Sequence, residues 1–197
     1  MPEQKTKVFI DLDDTLFDTK SLKAQNYLLF NEIPGNTGLL SREEFGELLN
    51  SELGSHKGTV FTPAAMIELL QRKGYNTEGL AKRRKEMMKS ANKYFKPEIY
   101  QWIVKNFPRE KYEYIIYSYG DPNFQHEKLT ACGIEKDFDK ILYISTDKVE
   151  TLQKYISQNE SFVLFEDKLK IVEGVHQRHP NATIYHVDGL RIGQYNF

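Results

Sequence analysis

Asp11, Asp13 and Asp14, followed by Thr15, stand directly behind the apolar run Val8-Phe9-Ile10. Stripping water from a carboxylate costs several kcal/mol unless a partner compensates it. A buried strand that runs into these acids must therefore end near Asp11 and deliver them to something positive. A divalent cation, a lysine that binds phosphate, or both would serve. A helix N-cap needs one such acceptor and leaves the other acids unexplained. A calcium loop of the EF-hand type is excluded, because Leu16 stands where its glycine is required and a strand precedes the acids.

Further polar groups follow apolar strands later in the chain. Ser118 ends Tyr112–Tyr117, Lys148 follows the strand Ile141–Ile144, and Glu166-Asp167 end Phe162–Phe165. From Pro97 onward such strands alternate with helices, over Glu98–Asn106, His126–Cys132, Lys148–Ser157 and Leu169–Gln177, with a last strand at Ala182–Val187. Alternation of this kind predicts a parallel sheet with helices on both faces. Ligands of such sheets sit beyond the carboxyl ends of the strands, where these four polar pieces converge.

Between Ser21 and Phe95 the apolar spacing is helical. A first helix carries Leu22 and Tyr27–Phe30 and stops before Pro34-Gly35. A second, Ser41–Leu53, opens with Ser41 and Glu44 in capping-box spacing. A third starts at Thr62-Pro63 and closes at Gly74, and a fourth, polar and basic, runs over Glu78–Tyr94. Together they predict a small bundle inserted after the first strand.

These pieces resemble the haloacid dehalogenase superfamily of phosphohydrolases. Its first motif, Asp-x-Asp-x-Thr after an apolar strand, is matched by Asp11-Leu12-Asp13-Asp14-Thr15. Ser118 matches the Ser or Thr of the second, Lys148 the lysine of the third, and Glu166-Asp167 the acidic pair of the fourth. The resemblance implies a Rossmann-like three-layer α/β core with a parallel sheet, formed by residues 1–17 and 97–197, and a helical cap formed by residues 18–96. It also implies a Mg²⁺-dependent phosphatase acting on a small phosphorylated metabolite through an aspartyl-phosphate. Asp11 would be the nucleophile, and Asp13 the acid and base. Ser118, Lys148 and Thr15 would hold or orient the phosphoryl group and the aspartate pair. Asp11, the Asp13 carbonyl and Asp167 would bind Mg²⁺, with Glu166 as a further candidate. A phosphotransferase or mutase, a 2-haloacid dehalogenase, and a non-catalytic phosphate-binding module are the alternatives. Asp13, Thr15 and Asp167 speak against the dehalogenase.

Three positions depart from the family pattern. Ile171 occupies a place that often carries an acid, Tyr119 is bulky after Ser118, and Lys148 competes with Lys140, Lys154 and Lys168 for the lysine role.

The rest of the chain sets bounds. With 197 residues, 40% hydrophobic and 28% charged, the chain can bury one good core, or one core plus a smaller appended domain. A net charge of −1 argues against a general nucleic-acid footprint. The single cysteine, Cys132, excludes an internal disulfide and suits a reducing compartment. With no membrane-length apolar run and no apolar region ahead of the first strand, a cytoplasmic protein with no membrane partner is expected. Lys82-Arg83-Arg84-Lys85 reads as a solvated helix face, Cys132 and Trp102 as packing, and His176, His179 and His186 as too scattered over elements to hold a metal.

Overall fold

The computed structural model describes residues 5–53, 60–157 and 159–195. The first four residues, on which the expected direct lead into the first strand bears, lie outside them. Strands β1 (Thr6–Ile10), β2 (Tyr112–Tyr119), β3 (Lys140–Ile144), β4 (Val163–Glu166) and β5 (Thr183–Asp188) are parallel, and β6 (Arg191–Gln194) closes the edge antiparallel to β5. The spatial order is β3-β2-β1-β4-β5-β6. The strand order therefore reverses at β1 and β4, the place where sheets of this class bind ligands.

The period-2 pattern assigns the two faces. Val8 and Ile10, Tyr114 and Ile116, and Val163 and Phe165 face one core with α5 (Pro97–Asn106) and α6 (Pro122–Cys132). Phe9, Ile115, Tyr117 and Leu164 face the other with α7 (Lys148–Leu152) and α8 (Leu169–Arg178). The result is a three-layer α/β core with a mostly parallel, Rossmann-like sheet.

Four helices intervene between β1 and α5: α1 (Thr19–Asn31), α2 (Arg42–Leu53), α3 (Pro63–Arg72) and α4 (Leu80–Met88). They bury a third apolar cluster of their own around Phe30, Phe45, Met66 and Leu70. The local signals act as expected. Ser41 and Glu44 exchange the two hydrogen bonds of a capping box, 2.7 and 3.1 Å, and Thr62 accepts from the Ala65 N–H at 3.0 Å.

Some boundaries differ from the sequence reading. The fourth helix ends at Met88 rather than at Tyr94: the Ser90 hydroxyl donates to the Met87 carbonyl at 3.0 Å, and Ala91–Tyr94 continues as a 3-10 turn. That turn sends Ala91 and Tyr94 into the sheet core rather than the bundle. Strand β2 runs on to Tyr119, so Ser118 lies within it, and α7 stops at Leu152 rather than Ser157. Strand β6 was not expected; its turn is the Gly189-Leu190 pair between Asp188 and Arg191, with Gly189 at φ +63°, where glycine carries no steric penalty. The basic run is not uniformly solvated either. Arg84 falls one turn from both Leu80 and Met88 and is buried, paired with Glu127 at 3.1 Å and stacked over Phe124 at 5.1 Å. Trp102 is half-buried against Phe165 and Tyr185. Among the described residues no helix is long and apolar enough to cross a membrane.

Candidate active site

Strand β1 ends at Ile10, and the Asp11 N–H still donates to the Phe165 carbonyl of β4 at 3.0 Å. The next residues curl into one tight turn. Leu16 and Phe17 both donate to the Leu12 carbonyl, and Asp14 takes φ +60°, which aspartate tolerates better than most side chains. This turn keeps Asp11 and Asp13 at the rim of the sheet.

Asp11 is almost fully buried and lies beside Lys148, whose Nζ donates to Asp11 Oδ1 at 2.7 Å and to Glu166 Oε2 at 2.6 Å. Of the four lysines weighed for this place, Lys148 reaches Asp11, whereas Lys140 pairs with Glu113 on the exposed edge. Burial works against the Lys148 charge, but the facing Asp11 and Glu166 raise its pKa above the usual lysine range. Thr15 Oγ1 stands 3.5 Å from Asp11 Oδ2. The Ser118 hydroxyl is fully buried and has no hydrogen-bond partner.

Oxygens of Asp11, Glu166 and Asp167 lie within 4.8 Å of one another. Burial, then the neighbouring Asp11 and Glu166 charges, raise Asp167 from 3.8 to about 8. Burial is also the main cause that raises Asp11 to about 7, with Lys148 opposing and Glu166 and Asp13 adding to it. Asp167 Oδ1 is buried without a partner. Crowded carboxylates with an orphaned oxygen are a donor set suited to a hard divalent cation. Glu166 is the least free of the three, since its other oxygen accepts from the Lys168 N–H at 3.1 Å. Ile171 turns to the opposite core with Val172 and Val175 and offers nothing to this cluster.

Asp13 has an environment the sequence reading missed. Lys128 and Thr19 both donate to its Oδ1, and Gln125 Nε2 donates to Oδ2 at 2.7 Å and to the Tyr119 carbonyl at 2.8 Å. Burial pushes the Asp13 carboxyl up, but the Lys128 charge and these hydrogen bonds outweigh it and hold the group at about 2. Gly120, at φ +152°, makes room for Gln125, whose amide a Cβ at that position would strike. The signal for Lys128 was present: Phe124, Gln125, Lys128 and Leu129 repeat at helical spacing and form the buried side of α6, so a lysine and an amide sit in an inward stripe. Lys128→Met is expected to raise the Asp13 titration midpoint by at least one unit, read by carboxyl-carbon NMR; an unchanged midpoint would mean that Lys128 does not set it.

The remaining candidates settle as follows. Burial raises the Cys132 thiol to about 12, which leaves it unreactive. The His186 ring nitrogen lies 2.9 Å from the Asp167 carbonyl oxygen. Asp14 accepts from the Lys20 N–H at 3.1 Å, and Lys96 donates to the Asp14 carbonyl and, at 3.1 Å, to that of Gly189. A cavity of about 510 Å³ opens from Asp13 toward α1 and α2.

No protein-family model matches the chain, and no curated protein does. Solved structures match along most of its length. A Burkholderia xenovorans protein assigned as a haloacid dehalogenase-like hydrolase is 16% identical with a TM-score of 0.66, covering 92% of this chain and 81% of its own. The L-2-haloacid dehalogenase of Xanthobacter autotrophicus is 16% identical with a TM-score of 0.60, covering 93% and 78%. A Thermotoga maritima protein assigned as a β-phosphoglucomutase is 18% identical with a TM-score of 0.62, covering 95% and 88%.

Proposed function

We propose, for a chain with the fold of the haloacid dehalogenase-like hydrolases and their helical cap, that it hydrolyses a small phosphate monoester with Mg²⁺ through an aspartyl-phosphate on Asp11. One fold hosts several chemistries, so the site must carry the argument. The observation that carries it is Asp11, buried at the strand-order reversal, bonded to Lys148 and within reach of Asp167, with the unpartnered Ser118 hydroxyl on the neighbouring strand β2. In this reading the core is residues 1–17 and 97–197, and the cap is residues 18–96.

Asp11 attacks phosphorus while the bond to the leaving oxygen breaks; water then attacks the phosphoryl group and frees Asp11. Lys148 and Ser118 hold phosphoryl oxygens, and Thr15 orients Asp11. Mg²⁺, held by Asp11, the Asp13 carbonyl and Asp167, would offset the negative charge that otherwise keeps a carboxylate from a phosphate. Asp13 is the base for the attacking water and the acid for the leaving oxygen. Its three donors favour the carboxylate, which suits the base half of this role and works against the acid half. The same observation favours one second reading, transfer of the phosphoryl group to an acceptor other than water, since a restrained Asp13 activates water poorly. Phosphate release measured with and without alcohol or sugar-phosphate acceptors separates the two readings. If a broad phosphate-ester panel yields neither phosphate nor a transferred group with Mg²⁺ present, both fail.

The carboxylates predict a pH signature without substrate. Folded, metal-free protein keeps protons on Asp11 and Asp167 up to about 7 and about 8, whereas the unfolded chain releases them near 3.8. The folded state thus binds more protons over that window, and its stability falls as pH rises through it. Melting temperature without metal is expected to decline from pH 5 to pH 8.5. Mg²⁺ is expected to restore more at the upper end, by about 2.7 kcal/mol at a hundred times its dissociation constant. Thermal melts that ignore Mg²⁺ at every pH would remove the metal from the proposal.

A further inference from the structure

The cavity above Asp13 carries more positive charge than phosphoryl chemistry uses. Lys20 and Lys23 on α1 and Arg42 at the start of α2 line it, are exposed, and form no ion pair among the described residues. Arg42 sits at the first position of α2, where the helix dipole disfavours a cation, so helix stability does not explain it. Nor does the cavity need these charges for Asp13, which Lys128 already neutralises. Asp14 is the other acid in the lining, and it is engaged by the Lys20 backbone N–H.

Deeper in the same cavity two acceptors stand idle. Asn26 Oδ1 on α1 and Gln125 Oε1 on α6 are buried without hydrogen-bond partners, and both residues are 2% exposed. The Gln125 orientation is fixed, because its Nε2 donates to Asp13 and to the Tyr119 carbonyl. An unpaired buried acceptor is costly in an empty site and is satisfied by a ligand donor such as a hydroxyl. The volume, about 510 Å³, suits a small molecule and not a polymer.

We propose that this cavity takes a phosphorylated hydroxy acid: the phosphoryl group at Asp11, hydroxyls at Asn26 and Gln125, and a second anionic group among Lys20, Lys23 and Arg42. The phosphoryl end rests on the function proposed above; the second anion site does not depend on turnover. The logic is differential recognition. A neutral analogue leaves three cations without a counter-charge and loses only what the carboxylate contributes, whereas an analogue without the hydroxyl leaves buried acceptors unpaired.

Binding to Asp11→Asn protein with Mg²⁺ at low salt, measured by calorimetry, tests this without catalysis. Two matched pairs differ at one carbon: 3-phosphoglycerate against glycerol 3-phosphate, and 6-phosphogluconate against glucitol 6-phosphate. In at least one pair the acid is expected to bind about tenfold more tightly, as several exposed charge contacts together supply. Adding Lys20→Gln, Lys23→Gln and Arg42→Gln is expected to shrink that preference to within about twofold, with an unchanged melting temperature confirming the fold. 3-Phosphonooxypropanoate, which lacks the hydroxyl of 3-phosphoglycerate, is expected to bind more weakly than its parent. Equal binding within both pairs, no binding by any of these ligands, or a preference that survives the triple substitution would overturn the proposal. A confirmed preference in a protein whose parent form turns over none of these esters would leave this site standing and bring down the phosphatase reading for them.

Discussion

Asp11→Asn protein is expected to release phosphate more slowly than the parent by at least about a thousandfold, on the scale seen when a nucleophile is removed from a catalytic unit. Asparagine keeps the shape of aspartate and can still accept from Lys148, so the loss isolates nucleophilicity from packing. The same substitution is expected to leave stability unchanged or to raise it at pH 8. Burial and the neighbouring Glu166 and Asp13 push Asp11 up to about 7, so its charge is held in the folded state at a cost. Loss of activity without loss of stability marks a residue kept for chemistry. Turnover by Asp11→Asn within tenfold of the parent, with deamidation excluded by mass spectrometry, would end the aspartyl-phosphate reading.

Lys148→Met is expected to act in the opposite sense, with its largest effect on the fold. Lys148 is almost fully buried and is the cation between Asp11 and Glu166. Removing one partner of a buried ion pair strands the other charge and costs about 3–5 kcal/mol. For a chain of this length that corresponds to a fall in melting temperature of roughly 6–20 °C. Two controls identify the cause. Adding Glu166→Gln is expected to recover part of the loss, since one of the stranded carboxylates is gone. Lowering the pH toward 5 is expected to recover part as well, since protonation neutralises what Lys148 no longer balances. A melting temperature within about 2 °C of the parent at pH 8 would show that Lys148 is not the charge that permits these acids to be buried.

Much of this arrangement is legible in the sequence, because it rests on local rules. Alternation along Val8-Phe9-Ile10 and Tyr114-Ile115-Ile116 assigns two sheet faces, and the acids at Asp11 fix where β1 must end. Spacing alone identifies the Ser41–Glu44 capping box and the Thr62-Pro63 helix start. The strand and helix order brings Asp11, Ser118, Lys148 and Asp167 to one rim, as a parallel sheet with its ligand at the strand ends requires.

What sequence left open concerns partners that are distant along the chain. Lys128 lies 115 positions from Asp13; the helical stripe of α6 places it on the buried side, but nothing in the local pattern says which group it meets there. The three donors that hold Asp13, the glycine that admits Gln125, and the break that carries Tyr94 into the sheet core all depend on how the helical bundle and the sheet meet. The same holds for the cations and idle acceptors of the cavity, which come from α1, α2 and α6. Local propensity and period thus determined the elements of this protein and the acids at the end of its first strand. Tertiary packing decided the charge state of those acids, because burial and the distance to a counter-charge exist only once the chain has folded.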